Sequence, residues 1–329
     1  FFILIYYLSL LPKNKLEALE SDIVIDGNSL TLEQLELVAT EFFRVRTAPE
    51  VIEKINTSRK IITNILEKKE IVYGVNTGFG YLKNTIISSD EIEKLQENLI
   101  LSHAAGVGNY LEEPVVRAML LLRTNALIKG FSGIRTEVIE MLLNFLNLRI
   151  TPLIPEKGSV GASGDLAPLS HMVLPLIGKG NVLYNKKEKN ALEVLKSHNL
   201  KPLKLHAKEG LALINGTQAM TAIGALVLQK AKRLTDLADC IASMSIEALM
   251  GSKSAFKKEL HAVRPHKGQM TVAENLNKML GQSEIMESHK DCTQVQDAYS
   301  LRCIPQVHGA VRDTLEHAEK VITKCLKYE

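Results

Sequence analysis

One uninterrupted helical stretch limits the folds open to this chain. From Thr217 to Met250 the sequence contains no proline and is rich in Ala, Leu and Ile, and Gly251 ends the pattern. Such a helix makes about nine turns, and its apolar surface needs other helices to cover it. Strand patterns are few, and small hairpins are expected only at residues 23–25 and 182–184. We therefore expect a mainly α fold, a long-helix bundle, rather than alternating strands and helices.

Several helix starts carry side chains that can satisfy free backbone N–H groups. The capping-box spacing occurs three times, at Thr31 with Gln34, Thr47 with Glu50, and Ser88 with Glu91. Pro114 and Gly130 bracket a further helix, because proline suits a first turn and glycine a helix end. Residues 304–326 predict one more amphipathic helix.

Three regions are expected along the chain. Residues 1–22 form an extra amino-terminal segment whose apolar run, Phe1 to Leu11, is too short to span a bilayer. Residues 23–205 are rich in loops and form an amino-terminal domain, and residues 206–329 begin a central helical bundle.

Composition excludes several classes of partner. Charged residues make up 23% of the chain with a net charge of only +3, so no basic field favours nucleic acid. His261 and His266 lie five apart, which does not put two metal ligands on one helix face. The four cysteines lack Cys-x-x-Cys or zinc-like spacing: Cys240, Cys292, Cys303 and Cys325. These features indicate reduced thiols in the cytoplasm, a small-molecule partner, no metal and no membrane association.

A glycine-rich segment, Gly158 to Pro168, surrounds the triplet Ala162-Ser163-Gly164. The amide nitrogen of a glycine carries little steric bulk, so in a tight loop the Gly164 nitrogen can attack the Ala162 carbonyl. Loss of two waters then leaves a methylidene-imidazolone ring, in which Ser163 has become an exocyclic alkene. The segment therefore predicts a built-in electrophile that needs no external cofactor.

Simpler interpretations of this segment are also open. A glycine-rich turn before a helix often serves only as a hinge with positive φ, and spacing alone does not exclude that interpretation. A phosphate-binding loop is disfavoured because Asp165 follows the last glycine where Lys is required. A nucleophile elbow is disfavoured because Asp165 also occupies the place of its second glycine.

Two further segments, Tyr73 to Gly80 and Asn215-Gly216-Thr217-Gln218, accompany the triplet in the same order as in a known family. Over roughly residues 23–322 the chain resembles the aromatic amino acid ammonia-lyases. The resemblance implies a methylidene-imidazolone formed from residues 162–164, elimination of ammonia from a free amino acid, and a homotetramer with shared active sites. It also implies that a considerable carboxyl-terminal part is missing, since residues 323–329 depart from the family's continuation.

The resemblance assigns catalytic roles to Tyr73, as the base that removes the substrate β-proton, and to residues 162–164. The pair Ser102-His103 resembles the histidine-specific members, which convert L-histidine to urocanate. An imidazole can hydrogen-bond a substrate imidazole. Taken alone, a histidine at a helix end is more often a simple helix-end interaction.

A second active-site segment of the family resembles residues 295–303. There Arg302 is suited to a bidentate grip on the substrate carboxylate, and Tyr299, three residues earlier, shares its helix face. By resemblance, Tyr299 and Asn215 contact the ring or the substrate amine, and Gln296 helps to hold the pocket. Ala298 replaces the family's usual proline.

Other hypotheses stay open at this point. His171, in an apolar helix after the triplet, is interpreted as a packed core histidine. The chain can be an inactive, truncated lyase that acts as a helical interaction module, or a lyase for phenylalanine or tyrosine.

Overall fold

A computed structural model describes residues 22–80, 83–88, 91–158 and 161–328, so the apolar segment expected at the amino terminus lies outside the described residues except for Asp22. The α-helices, numbered α1 to α14 in chain order, are Leu32–Thr40, Val51–Glu67, Ile92–His103, Glu113–Leu127, Thr136–Asn147, Leu166–Val173, Ala191–Ser197, Glu209–Ile214, Gln218–Ala248, Lys258–Ala262, Lys267–Leu280, Glu284–Ser288, Tyr299–Arg302 and Ile304–Tyr328. Short 3₁₀ segments occupy Leu174–Ile177 and Lys253–Phe256. The expected mainly α fold is confirmed.

The strands, numbered β1 to β7, are Ile23–Ile25, Val45–Thr47, Val107–Tyr110, Thr151–Pro152, Pro155–Lys157, Asn181–Tyr184 and Lys187–Asn190. The expected hairpin at residues 182–184 is confirmed, since β6 pairs antiparallel with β7 through a turn whose residues Asn185 and Lys186 both have positive φ. The prediction of a hairpin at residues 23–25 is wrong. Strand β1 pairs parallel with β2, because helix α1 lies between them and returns the chain in the same direction.

Of the three predicted capping boxes, one is confirmed. The Thr31 hydroxyl accepts from the Gln34 N–H at 3.2 Å, and the Gln34 side chain accepts from the Thr31 N–H at 3.1 Å. Thr47 instead ends strand β2, and the helix after it begins without a side-chain cap. Ser88 donates to the Glu91 carboxylate at 2.8 Å rather than capping helix α3. Spacing alone cannot distinguish a cap from a strand end or a loop contact.

The Thr31 cap predicts a measurable contribution to stability. We expect Thr31→Ala to lower the free energy of unfolding by about 1 kcal/mol, since one helix N–H loses its acceptor. Thr63→Ala is the matched control, because Thr63 is exposed within helix α2 and alanine favours helix there. Chemical denaturation of both variants tests this. Equal losses would contradict the capping role.

Two compact units divide the described chain: residues 22–226 with 322–328, and residues 227–321. The first is built around α4, which is buried along most of its length and packs on α1 and α5. Its Arg117 is fully buried and donates to the carbonyls of Val38 and Leu146, one in each neighbouring helix. The boundary expected near residue 205 stays a prediction.

The second unit, Val227–Val321, is held by polar contacts of the buried Asp239. Its carboxylate lies 2.8 Å from His308 Nδ1 and 2.6 Å from Arg312 Nη2, and it accepts from Asn275 Nδ2 at 2.9 Å. Because these partners lie on α14 and α11, one carboxylate joins three helices of this unit.

The long helix expected from Thr217 to Met250 is observed as α9, Gln218–Ala248. Together with α8 it makes a stretch, Glu209–Ala248, that is long and apolar enough to cross a membrane. Half of its most apolar window is buried inside the structure, as in the core helix of a globular protein. Length and composition are therefore weak grounds for a membrane span here.

Candidate active site around the Ala-Ser-Gly turn

The Ala162-Ser163-Gly164 triplet lies in a tight turn before helix α6. Gly161 and Gly164 face each other as a bridge, with the Gly164 N–H donating to the Gly161 carbonyl at 3.2 Å. Ala162 and Ser163 are exposed at the corner, whereas Gly164 is buried. The turn therefore presents the serine to solvent.

Gly164 packs directly on the second motif, at Gly216. Its φ of +137° is rarely adopted by residues with side chains, and a Cβ added there would lie 2.4 Å from the Gly216 carbonyl oxygen. The next residue, Asp165, donates its N–H to that same oxygen at 2.7 Å. Only glycine therefore fits at position 164, and the turn is held beside Asn215.

Asp165 also joins the turn to the long helix α9. Its Oδ2 accepts from the Met220 N–H, in the first turn of α9, at 2.8 Å. A carboxylate at a helix amino terminus satisfies a free donor and complements the helix dipole. Oδ1 of the same group is buried and has no hydrogen-bond partner among the described residues. In the sequence, Asp165 served only as a reason against a phosphate-binding loop and a nucleophile elbow.

The short helix α8, Glu209–Ile214, is where the separate motifs meet. Helices α3 and α6 both pack on it, and the Gly210 N–H donates to Gln96 Oε1 of α3 at 2.9 Å. Leu211 lies 2.9 Å from the position of a Cβ added to Gly74. Helix α8 therefore contacts helix α3, which carries His103, helix α6, which follows the triplet, and the loop of Tyr73 at Gly74. It ends at Asn215.

Glu209 fixes the start of α8 and was missed by sequence reasoning. Its carboxylate is fully buried and accepts from Arg135 Nε at 2.8 Å and Nη2 at 2.9 Å. Burial alone would raise the pKa of Glu209, but the hydrogen bonds from Arg135 and from the His206 N–H hold it below its usual range. No spacing in the sequence signals this pair, since its members are 74 residues apart.

Arg123 supports the other end of α8. It is buried, donates to Gln218 Oε1 at 2.9 Å, and also donates to the Ala212 carbonyl. Its side chain thus bridges the break between α8 and α9 that contains Asn215 and Gly216. Sequence reasoning missed Arg123 as well, because an arginine inside an apolar helix has no recognisable pattern.

Tyr73 lies in a loop that is stabilised by the side chain of Asn76. Asn76 is buried, accepts from the Val72 N–H at 2.9 Å and donates to the Glu70 carbonyl at 2.7 Å. The Tyr73 side chain is 57% exposed, its hydroxyl lies 3.4 Å from the Gly80 N–H, and its ring contacts Phe79 edge to face. The phenol is oriented by the loop and accessible.

His103 is the last residue of helix α3, as expected. Its Nδ1 lies 2.9 Å from the Leu99 carbonyl, and the Ser102 hydroxyl donates to the same carbonyl at 3.0 Å. A carbonyl oxygen can only accept, so Nδ1 carries a proton, and a neutral ring then has its lone pair on Nε2. The half-buried ring can therefore accept a hydrogen bond from a ligand.

Gln296, Tyr299 and Arg302 form a cluster within the second unit. Tyr299 and Arg302 share the helical turn α13, with the guanidinium carbon 4.4 Å from the centre of the tyrosine ring. Arg302 Nε donates to the Asp297 carbonyl at 2.8 Å. The side-chain amide of Gln296 lies against the guanidinium, and its oxygen accepts at 2.5 Å when the amide O and N are exchanged. Tyr299 is 73% exposed. The Arg302 guanidinium is thus oriented by Asp297, although Ala298 stands where the family usually has proline.

The residues of the turn fit the formation of a methylidene-imidazolone. The nitrogen that must attack belongs to Gly164, at a position where only glycine fits. The alkene carbon would come from Ser163, which is exposed and can meet a substrate. Residues 162–164 would hold the group, and the Gly216 carbonyl and Asp165 would fix the turn around it.

Comparisons with known proteins identify the family of this chain. The family model for aromatic amino acid lyases matches residues 30–327. Histidine ammonia-lyase of Alkaliphilus oremlandii is 49% identical over 300 residues, which are 91% of this chain and 59% of that protein. The histidine ammonia-lyase of Sorangium cellulosum is 50% identical over 301 residues, with the same two coverages.

Solved structures are also similar. The histidine ammonia-lyase from Trypanosoma cruzi has a TM-score of 0.84 at 41% identity, covering 93% of this chain and 57% of that one. The phenylalanine aminomutase of Pantoea agglomerans has a TM-score of 0.86 at 34% identity, covering 93% of this chain and 62% of that one. The chain belongs to the aromatic amino acid lyase family. It spans about 59% of the length of the curated relatives named above.

Proposed function

We propose that this protein eliminates ammonia from L-histidine to give urocanate, in the cytoplasm, as a homotetramer with shared active sites. The proposal rests on one observation: Gly164 packs on Gly216, which holds the exposed Ala162-Ser163 corner beside Asn215. The names of the relatives support histidine as the substrate.

The reaction breaks the Cα–N bond and removes a proton from Cβ, which leaves a Cα=Cβ double bond. Residues 162–164 would hold a methylidene-imidazolone, which would supply the electrophile that makes the amine a leaving group. Arg302 binds the substrate carboxylate, because Gln296 and Asp297 already orient its guanidinium. Tyr299 and Asn215 contact the electrophile or the substrate amine.

Two residues complete the proposed site. Tyr73 takes the β-proton at its phenol oxygen, since its side chain is exposed on a loop anchored by Asn76. His103 accepts a hydrogen bond at Nε2 from the N–H of the substrate imidazole, with Leu99 fixing the opposite ring nitrogen.

The experiment that tests the function combines two measurements on the full-length protein. Its intact mass should be two waters below that of the unmodified sequence, and histidine should yield urocanate, followed by its ultraviolet absorbance. A protein of full sequence mass that leaves histidine unchanged would favour the inactive interaction module. Turnover of phenylalanine or tyrosine instead of histidine would favour the other lyase activity.

The assignment of His103 predicts a substrate-dependent loss. We expect His103→Leu to lower kcat/KM for histidine about a hundredfold or more, because a polar group of the substrate loses its partner in the site. Activity toward phenylalanine, measured on the same variant, should not fall, since no hydrogen bond to its ring is lost. Equal losses with both substrates would contradict a role in recognition.

A further inference from the structure

Two glycines outside the proposed site lie side by side against helix α6. Gly106 follows His103 by three residues, and Gly158 precedes Gly161 by three. A Cβ added to Gly158 would lie 3.2 Å from the Ala167 Cβ and 3.8 Å from the Gly106 Cα. The segment that leaves helix α3 and the segment that enters the triplet turn are therefore packed on the same helix.

His171 of helix α6 binds this junction. Its Nε2 accepts from the Gly106 N–H at 2.9 Å, and a Cβ added to Gly106 would lie 3.1 Å from that same nitrogen. A backbone N–H can only donate, so Nε2 is unprotonated and the ring is neutral, with its hydrogen on Nδ1. Burial lowers the pKa of His171, which favours the same neutral form. The core histidine expected from the sequence is thus half-buried and hydrogen-bonded to a loop.

The two segments stay together beyond the junction. Strand β3, which begins at Val107, pairs antiparallel with strand β5, and Val107 lies opposite Lys157. The contact at Gly106 therefore continues directly into a strand pair. The strand pair ends at Val107 and Lys157, next to the hydrogen bond from Gly106 to His171. This hydrogen bond therefore fixes the point from which one segment leads back to His103 and the other leads on to the triplet.

We propose that His171 is a positioning residue for substrate recognition: by holding Gly106 against helix α6, it fixes Ser102 and His103 relative to the turn of residues 161–164. The inference rests on the proposed function. A displacement of about 1 Å between a recognition group and a reacting group can lower kcat/KM up to about a hundredfold, although no contact residue is removed. His171 acts through Gly106 and does not touch the substrate.

Three variants of the full-length protein test this role. His171→Phe and His171→Leu remove the acceptor, and His171→Gln supplies a new acceptor oxygen. In the first two we expect amide hydrogen exchange at residues 104–107 to rise about tenfold, because a protecting hydrogen bond is lost. We also expect KM for histidine to rise about tenfold with a smaller change in kcat, the pattern of lost binding. His171→Gln should restore both values toward those of the wild type.

The matched control is His198→Phe, since His198 in the same unit contacts the Tyr184 hydroxyl at 3.0 Å, away from the junction. Intact mass should show the same loss of two waters in every variant, because His171 is not part of the triplet. His171→Leu serves if His171→Phe does not fold. Equal exchange in the wild type and in the acceptor-free variants would overturn the positioning role, as would a KM no higher than that of His198→Phe. A wild type that leaves histidine unchanged would overturn the proposed function, and the recognition role with it.

Discussion

Replacing Ser163 by alanine should lower kcat for histidine about a thousandfold or more, equivalent to about 4 kcal/mol of activation free energy. Alanine has no hydroxyl to eliminate, so the exocyclic alkene cannot form. The fold should be unaffected, because Ser163 is exposed at the corner of its turn. Intact mass and urocanate formation on the full-length protein measure the two consequences separately.

Ser288→Ala is the control for this variant, since Ser288 is an exposed serine in the second unit. It should keep both the loss of two waters and the activity. The catalytic proposal would be wrong if Ser163→Ala converted histidine at the wild-type rate. It would be equally wrong if the active wild type had the full mass of its sequence.

The second large effect concerns stability. We expect Glu209→Ala to lower the free energy of unfolding by about 3–5 kcal/mol, because it leaves Arg135 without the carboxylate that pairs with it. Arg59, whose Nη1 lies 3.9 Å from the same carboxylate, loses a favourable charge as well. Helix α8 begins at this residue, so Asn215 at its other end should also become less ordered. Chemical denaturation measures the loss.

The pH dependence of this difference follows from the lowered pKa of Glu209. A carboxyl group with a lower pKa in the folded state stabilises the fold above its unfolded pKa, and that contribution disappears as pH falls through the folded pKa. The gap between wild type and Glu209→Ala should therefore shrink in acid, below the usual range of a glutamate. Glu193→Ala, which changes an exposed glutamate in the first turn of α7, should change stability little at any pH. If the difference in unfolding free energy between wild type and Glu209→Ala did not change with pH, the charge of the Glu209 carboxylate would not be the cause of that difference.

Helices were predicted well because their signals are local. The proline-free run that became α9 and the Thr31 cap depend on neighbouring residues, which the sequence displays directly. The errors arose where the pairing of a strand or the hydrogen-bond partner of a side chain depends on the folded structure. Strand β1 looked like part of a hairpin, yet its partner lies beyond helix α1. Ser88 had the spacing of a cap, but its hydroxyl bonds to a carboxylate in the loop instead.

By itself, the sequence determined the mainly α class, the family and the tight glycine-containing turn, because short motifs and periodicity record each of these. It carried no sign that Glu209 and Arg135 would form a buried pair, or that His171 would receive the Gly106 N–H. Those contacts join residues more than sixty positions apart, and their energies depend on burial and geometry that exist only after the helices have packed. The tertiary structure alone brought Gly164 onto Gly216, since this close approach needs two glycines whose proximity no spacing along the chain reveals.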